Sequence, residues 1–162
     1  MLYAPLSAFE VSMAIILAAI TRSIVIALIF IAVFSIIVEV PINNIIFIFI
    51  FGFLSAFVLG SLGFITGLWA EKFDHTATVT NFIITPLSFL SGVFYSIDRL
   101  PNLFQTISLI NPFFYMIDGF RYGFLGVSDG SIIFGMIYLT VLSFVMWFIA
   151  FYLYKKGYKI KS

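Results

Sequence analysis

The sequence predicts an all-α integral membrane protein with four transmembrane helices, an N-terminal interfacial helix and a short re-entrant helical hairpin before the last span. Three observations lead there. The 162 residues are 63% hydrophobic and only 9% charged; a soluble domain carries roughly 25% charged residues. A globule of this size buries only about 70% of its unfolded surface, too little to hide so much apolar area from water. Apolar runs of about 17 to 25 residues, enough for a helix to cross hydrocarbon, recur along the chain.

The first span is expected over 23–39, "SIVIALIFIAVFSIIVE", preceded by Arg22. Before it, Ala8 to Thr21 is mostly apolar but opens with Glu10. One long helix through both stretches would set Arg22 inside the membrane, at up to about 2.5 to 3.5 kcal/mol at midplane. An interfacial helix that ends near Arg22 and lets it snorkel avoids this, and is the expected form. The second span is expected over 45–69 and the third over 78–96, with Pro86 inside it; the fourth runs over 132–154. No long hydrophilic linker divides the chain, so 1–162 is read as a single transmembrane domain.

Orientation follows from Lys and Arg near the span ends. With both termini cytoplasmic, Arg22, Lys72, Lys155, Lys156, Lys159 and Lys161 lie inside, and Arg99 and Arg121 outside. A multi-pass protein of the plasma membrane results, with lipid as its surroundings. The basic C-terminal run is also suited to anionic lipid.

The outer segment before the last span is too apolar for a free loop. Over 101–126, Pro101 can open one short helix, and Asn111 can cap a second with Pro112 at its first position. Each would be too short to cross, which predicts a re-entrant hairpin whose turn at Ile110–Asn111 is capped or covered by neighbouring spans. Asp118 and Arg121, three residues apart, share a helix face. The plainer reading is a neutralised pair that anchors the hairpin at the outer headgroups; the sharper one is a gate or a substrate contact.

Two small or polar patterns stand out within the spans. Gly52, Ala56 and Gly60 recur at four-residue steps, followed by Gly63 and Gly67. Such spacing lets helices approach closely, within one subunit or between two. In the third span Asn81, Thr85, Ser88 and Gly92 fall on one helix face, and Pro86 removes the backbone bond to Phe82. This stripe beside a kink fits either a translocation path or subunit seam, or polar adhesion between helices.

Several functions are excluded. The chain has no cysteine, which rules out disulfides and thiolate metal sites. Its single histidine, His75, reads as a surface residue, so no metal and no resident cofactor are expected. A net charge of +1 offers no nucleic-acid surface. No phosphate loop, H-E-x-x-H or nucleophile elbow occurs, so the chain is not expected to be an enzyme.

The ordered set Leu90-Ser91-Gly92, Leu100-Pro101, Asn111-Pro112, Asp118 and Arg121 resembles the membrane domain of ABC type-2 transporters. "APLS" at Ala4 to Ser7, ahead of a helix, is similar to the same family. The resemblance implies six membrane helices per permease subunit, of which this chain matches the last four. The first two would precede Met1, and the domain is read as N-terminally truncated. It also implies a second permease subunit and a separate ABC ATPase that binds ATP and Mg and docks near Pro5, Ser7 and Glu10. It places the third-span stripe near the dimer seam. The function implied is the permease subunit of an ABC exporter. The alternatives are an ATPase-independent channel or carrier, and an inactive or accessory membrane fragment; the expected spans carry no interior charge of the kind an ion-coupled carrier uses.

Overall fold

The computed structural model describes residues 7–93 and 101–157. Among them all regular structure is helical. Three helices are long and apolar enough to cross a membrane: α1 (Ala8–Ile37), α2 (Ile45–Trp69) and α7 (Ile132–Lys155). Between α2 and α7 lie α3 (Phe73–Val79), a π-turn (Thr80–Ile84), α4 (Thr85–Phe89), α5 (Asn102–Ile110) and α6 (Pro112–Leu125).

The N-terminal expectation is corrected. α1 is one unbroken helix of 30 residues, about 45 Å long, and not an interfacial helix followed by a span over 23–39. No glycine or proline interrupts Ala8 to Ile37. A break at Arg22 would strand as many as four carbonyls and four N–H groups in apolar surroundings, and continuity avoids that. The hydroxyls flanking Arg22 reinforce the helix: Thr21 donates to the Leu17 carbonyl at 2.8 Å and Ser23 to that of Ala19 at 2.9 Å. Arg22 therefore stands in mid-helix with its side chain exposed. Ser7 and Glu10 start the helix as a reciprocal capping box.

α2 is the hub, packed by α1, α6 and α7. Its N-terminus is capped by Asn44, whose side chain accepts from the Ile46 N–H at 3.1 Å. Phe51, Phe114 and Leu139 are almost wholly buried in the main core, with Val58, Tyr115 and Met116. A second cluster joins Ile16 and Ile20 of α1 to Ala56, packed by Phe57 and Trp147. Small residues set the approach distances. A Cβ at Gly60 would lie 3.1 Å from Ala19, and one at Gly52 3.2 Å from Phe120. Gly63 and Gly67, by contrast, face open space in this chain.

The closest approach is between α6 and α2. A Cβ at Gly119 would overlap the Phe51 ring, and one at Gly123 would fall 3.0 Å from the Ile48 backbone nitrogen. Gly119 and Gly123 are four residues apart, the spacing that lets helix backbones meet. On the side of this contact nearer the α1–α2 connection lies an apolar cavity of about 500 Å³, between Ile24, Ile31, Ile45, Gly52, Phe120 and Phe124.

The third segment is helical from Phe73, before the expected start at 78, because Lys72 precedes it with extended backbone and Asp74 occupies its first turn. It stays helical through Phe89; 94–96 of the expected span lie outside the described residues. Pro86 has no N–H for Phe82, and the preceding turn widens so that the Thr85 N–H reaches the Thr80 carbonyl. Gly92 does not continue the helical face with Asn81, Thr85 and Ser88. It lies past the helix end at φ +77°, a left-handed conformation that favours glycine.

Gly123→Ala should destabilise the protein by about 1–3 kcal/mol, whereas Gly63→Ala, with open space around it, should be neutral or slightly stabilising. Thermal unfolding in detergent micelles checks both.

Candidate functional site

The polar groups of this apolar chain converge where α4, the α5–α6 elbow, α6 and the α6–α7 connection meet. The elbow exposes the last carbonyls of α5, and two tyrosines claim them. Tyr115 donates to the Leu109 carbonyl at 2.9 Å and Tyr138 to the Ile110 carbonyl at 2.8 Å. Asn111 is buried. Its Oδ1 accepts from the Phe113 N–H at 3.0 Å, and its Nδ2 donates to the Leu87 carbonyl at 2.6 Å. One side chain thus starts α6 and ties the elbow to the third segment, with Pro112 at the first helical position.

α6 ends at Gly126, in a left-handed conformation at φ +74°. Its last carbonyls are met from the α1–α2 connection. The Asn44 N–H donates to the Gly123 carbonyl at 2.8 Å, and the Asn43 N–H to the Gly123 and Phe124 carbonyls.

Asp118 is 2% exposed. Its two oxygens accept from the backbone N–H groups of Asp129 at 2.7 Å and Gly130 at 3.0 Å, folding the α6–α7 connection onto α6. Burial pushes the Asp118 carboxyl above the ordinary carboxylate range; these two amides and the Arg121 guanidinium oppose the shift, and the Asp129 charge adds to it. Arg121 bonds to Asp129 at 2.7 Å and lies 3.7 Å from Asp118. Its other terminal nitrogen donates to the Gly92 carbonyl at 2.6 Å. The expected Asp118–Arg121 pair is therefore a triad, with Asp129 as the closer partner. Asp118 acts mainly as an acceptor for loop amides.

The structure brings Asn111, Pro112, Asp118, Arg121 and Gly92 together in this node; Pro101 immediately precedes α5. Asn81 and Thr85 are exposed and Ser88 is half-buried. The hydroxyls of Thr85 and Ser88 donate to the Thr80 and Ile84 carbonyls of their own helix, and Pro86 stands at the exposed start of α4. Ser7 and Glu10 are exposed at the start of α1, and Pro5 lies outside the described residues. Among the described residues no cluster of His, Asp or Glu could hold a metal ion. Sequence reasoning missed Asp129, Tyr115, Tyr138, Asn43 and Gly119–Gly123. Of these only the small-residue repeat at 119–123 carried a local signal.

Residues 1–125, which include α1 through α6, match the family described as ABC-2 type transporter. The chain belongs to that family. Among curated relatives, this ABC-2 chain is 39% identical over 111 residues to the inner membrane transport permease YadH of Escherichia coli K12, covering 67% of this chain and 43% of the relative. It is 34% identical over 73 residues to Nodulation protein J of Rhizobium leguminosarum bv. trifolii, covering 45% of this chain and 28% of that protein. The ABC-2 chain thus matches less than half the length of these relatives. No solved structure matches it.

Asp118→Asn leaves one loop amide facing an amide N–H, and should destabilise the protein by about 2–3 kcal/mol. It should also speed hydrogen exchange at the Asp129 and Gly130 amides. Tyr138→Phe, which strips the Ile110 carbonyl of its donor, should cost about 1–2 kcal/mol and leave exchange at those two amides unchanged.

Proposed function

We propose that the chain is a membrane-spanning permease subunit of an ATP-binding-cassette exporter in the plasma membrane. It helps form the translocation path together with a second permease subunit, while a separate ATPase subunit binds ATP and Mg and supplies the energy. The observation that carries this is the family match over residues 1–125, which covers both the long α1 and the elbow. The inner membrane transport permease among its relatives supports location and role alike.

In this reading the third segment is a fourth crossing. α3 begins beside the end of α2, where the Trp69 and His75 rings lie 5.2 Å apart. By Gly92 the chain has reached Arg121, on the helix that meets α2 near its opposite end. The α5–α6 elbow is a re-entrant hairpin. Tracing α6 back from the Gly123–Ile48 contact takes it about 16 Å along its axis to Pro112, and α5, of nine residues, is too short to cross.

Orientation has parallel support. The Phe64 and Tyr154 rings are 5.9 Å apart, so the C-terminal ends of α2 and α7 lie together. Lys72, Lys155 and Lys156 gather there, which supports a cytoplasmic placement of that end. Antiparallel packing brings the start of α1, with Ser7 and Glu10, to the same side for ATPase docking. Asn81 and Thr85, exposed here, face the subunit seam or the path; Gly63 and Gly67, open here, are available for contact with a second subunit.

The chain lacks cysteine, so single cysteines report cleanly on sidedness. In intact cells an impermeant thiol reagent should label Ser128→Cys and spare Lys156→Cys, with the reverse in inverted vesicles. Labelling of both from one side would refute the topology. Failure of the full-length, folded protein to associate with any ATPase would refute the exporter assignment.

A further inference from the structure

The acidic and basic groups around Asp118 do not balance. Asp118 and Asp129 share one guanidinium, that of Arg121, which leaves one negative charge in excess. Arg121 bonds to Asp129 at 2.7 Å and stands 3.7 Å from Asp118, so the excess falls chiefly on Asp118, the more deeply buried of the two. Among the described residues no further charge faces it. Tyr115 on the same helix and Tyr138 on α7 are the other ionisable groups nearby, and both donate to carbonyls. α2 presents Phe51 and has no charged residue. α5 has none either, and the third segment contributes the Gly92 carbonyl. Glu39 shares a hollow with Phe124, closer to the end of α6. Asp98 and Arg99 lie outside the described residues.

The α6–α7 connection roofs this carboxyl closely. Besides the two amide bonds, a Cβ built at Gly130 would lie 2.9 Å from the Phe114 ring and 3.3 Å from Asp118 Oδ2. That gap is filled by the chain itself and has no space for a water. An ionised carboxylate has about four acceptor positions, and the two amides occupy two of them. Two neutral amides do not replace a full hydration shell. Charged Asp118 regains the rest of that shell only if the roof lifts. Once protonated, it keeps acceptor capacity for the amides and loses the charge that demands water. The upward shift of its carboxyl, caused first by burial, agrees in direction.

We infer that the α6–α7 connection is a proton-sensitive flap, shut over Asp118 when the node holds an extra proton and lifting to hydrate the carboxylate when that proton leaves. The proton is exchanged with solvent at the Asp129 edge, where the side chain is 18% exposed. The sign follows from linkage. The shut form holds the proton more tightly than the lifted one, so closure is firmest in acid, below the ordinary carboxylate range. It weakens as pH rises through the elevated range in which the shut carboxyl titrates. The flap rests on the geometry of the node and not on the permease reading.

The test is amide hydrogen exchange of the full chain in detergent micelles, with each rate divided by its intrinsic value at the same pH. Protection of the Asp129 and Gly130 amides should fall about threefold or more between about pH 5 and about pH 8. The Asn43 and Asn44 amides, which bond to the end of α6 away from the node, should keep theirs. Asp118→Asn should exchange faster at both flap amides and show no trend with pH. Asp129→Asn separates a switch from a merely structural role. Removing the excess charge lets Arg121 serve Asp118, so protection of Gly130 at about pH 8 should rise above wild type; loss of a structural ion pair alone would lower it. Wild-type protection that stays flat or rises with pH would overturn the flap. So would a trend that survives in Asp118→Asn, a lower Gly130 protection in Asp129→Asn, or an equal fall at Asn43 and Asn44, which would mean general loosening. ATPase association does not enter this readout, so the flap and the permease reading stand or fall separately.

Discussion

Backbone groups shut away from water must find partners inside the protein, and four helix interruptions among the described residues are built around that need. The end of α5 is met by two tyrosine hydroxyls and the end of α6 by backbone amides of Asn43 and Asn44. The connection to α7 folds back so that two of its amides reach a buried carboxylate. Where Pro86 withdraws a donor, the backbone widens by one residue and re-forms its bonds. These are four solutions to one constraint, and they hold the α5–α6 elbow, α6 and the α6–α7 connection in place.

The same constraint separates the two arginines. Arg121 stands in a site with two carboxylates and a carbonyl, so its charge is neutralised within the fold. Arg22 stands on a helix that has no interior break, because a break would strand several backbone groups at once. Keeping the helix intact displaces the difficulty from many backbone atoms to one long side chain. A guanidinium can reach for water, headgroup or ligand, which a carbonyl cannot.

The apolar runs made α2 and α7 legible to within a residue or two, because nothing competes with length and hydropathy in a buried or lipid-facing helix. Asn111–Pro112 marked the start of α6 for a local reason, a cap followed by a residue with no N–H to lose. α1 was misjudged because the charge of Arg22 was weighed against a clean interface and not against the larger penalty of a broken helix. The polar stripe of the third segment was drawn on a regular helix, and a π-turn and a left-handed glycine lie in its path. Asp129, Tyr115 and Tyr138 were invisible for another reason. Their partners are eight, six and twenty-eight residues away, and no periodicity encodes those distances.

The glycine notch between α6 and α2 has a mechanical consequence. With backbone against side chain and no compressible layer between them, α6 cannot slide without carrying α2, and α7 is bound into the same block by its tyrosine and its core leucine. The stretch from Phe73 to Phe89 touches that block chiefly at its two extremities. Compliance is therefore expected in that strut, pinned at Trp69 and at Asn111 with a widened turn midway, while α2, α6 and α7 form one packed block.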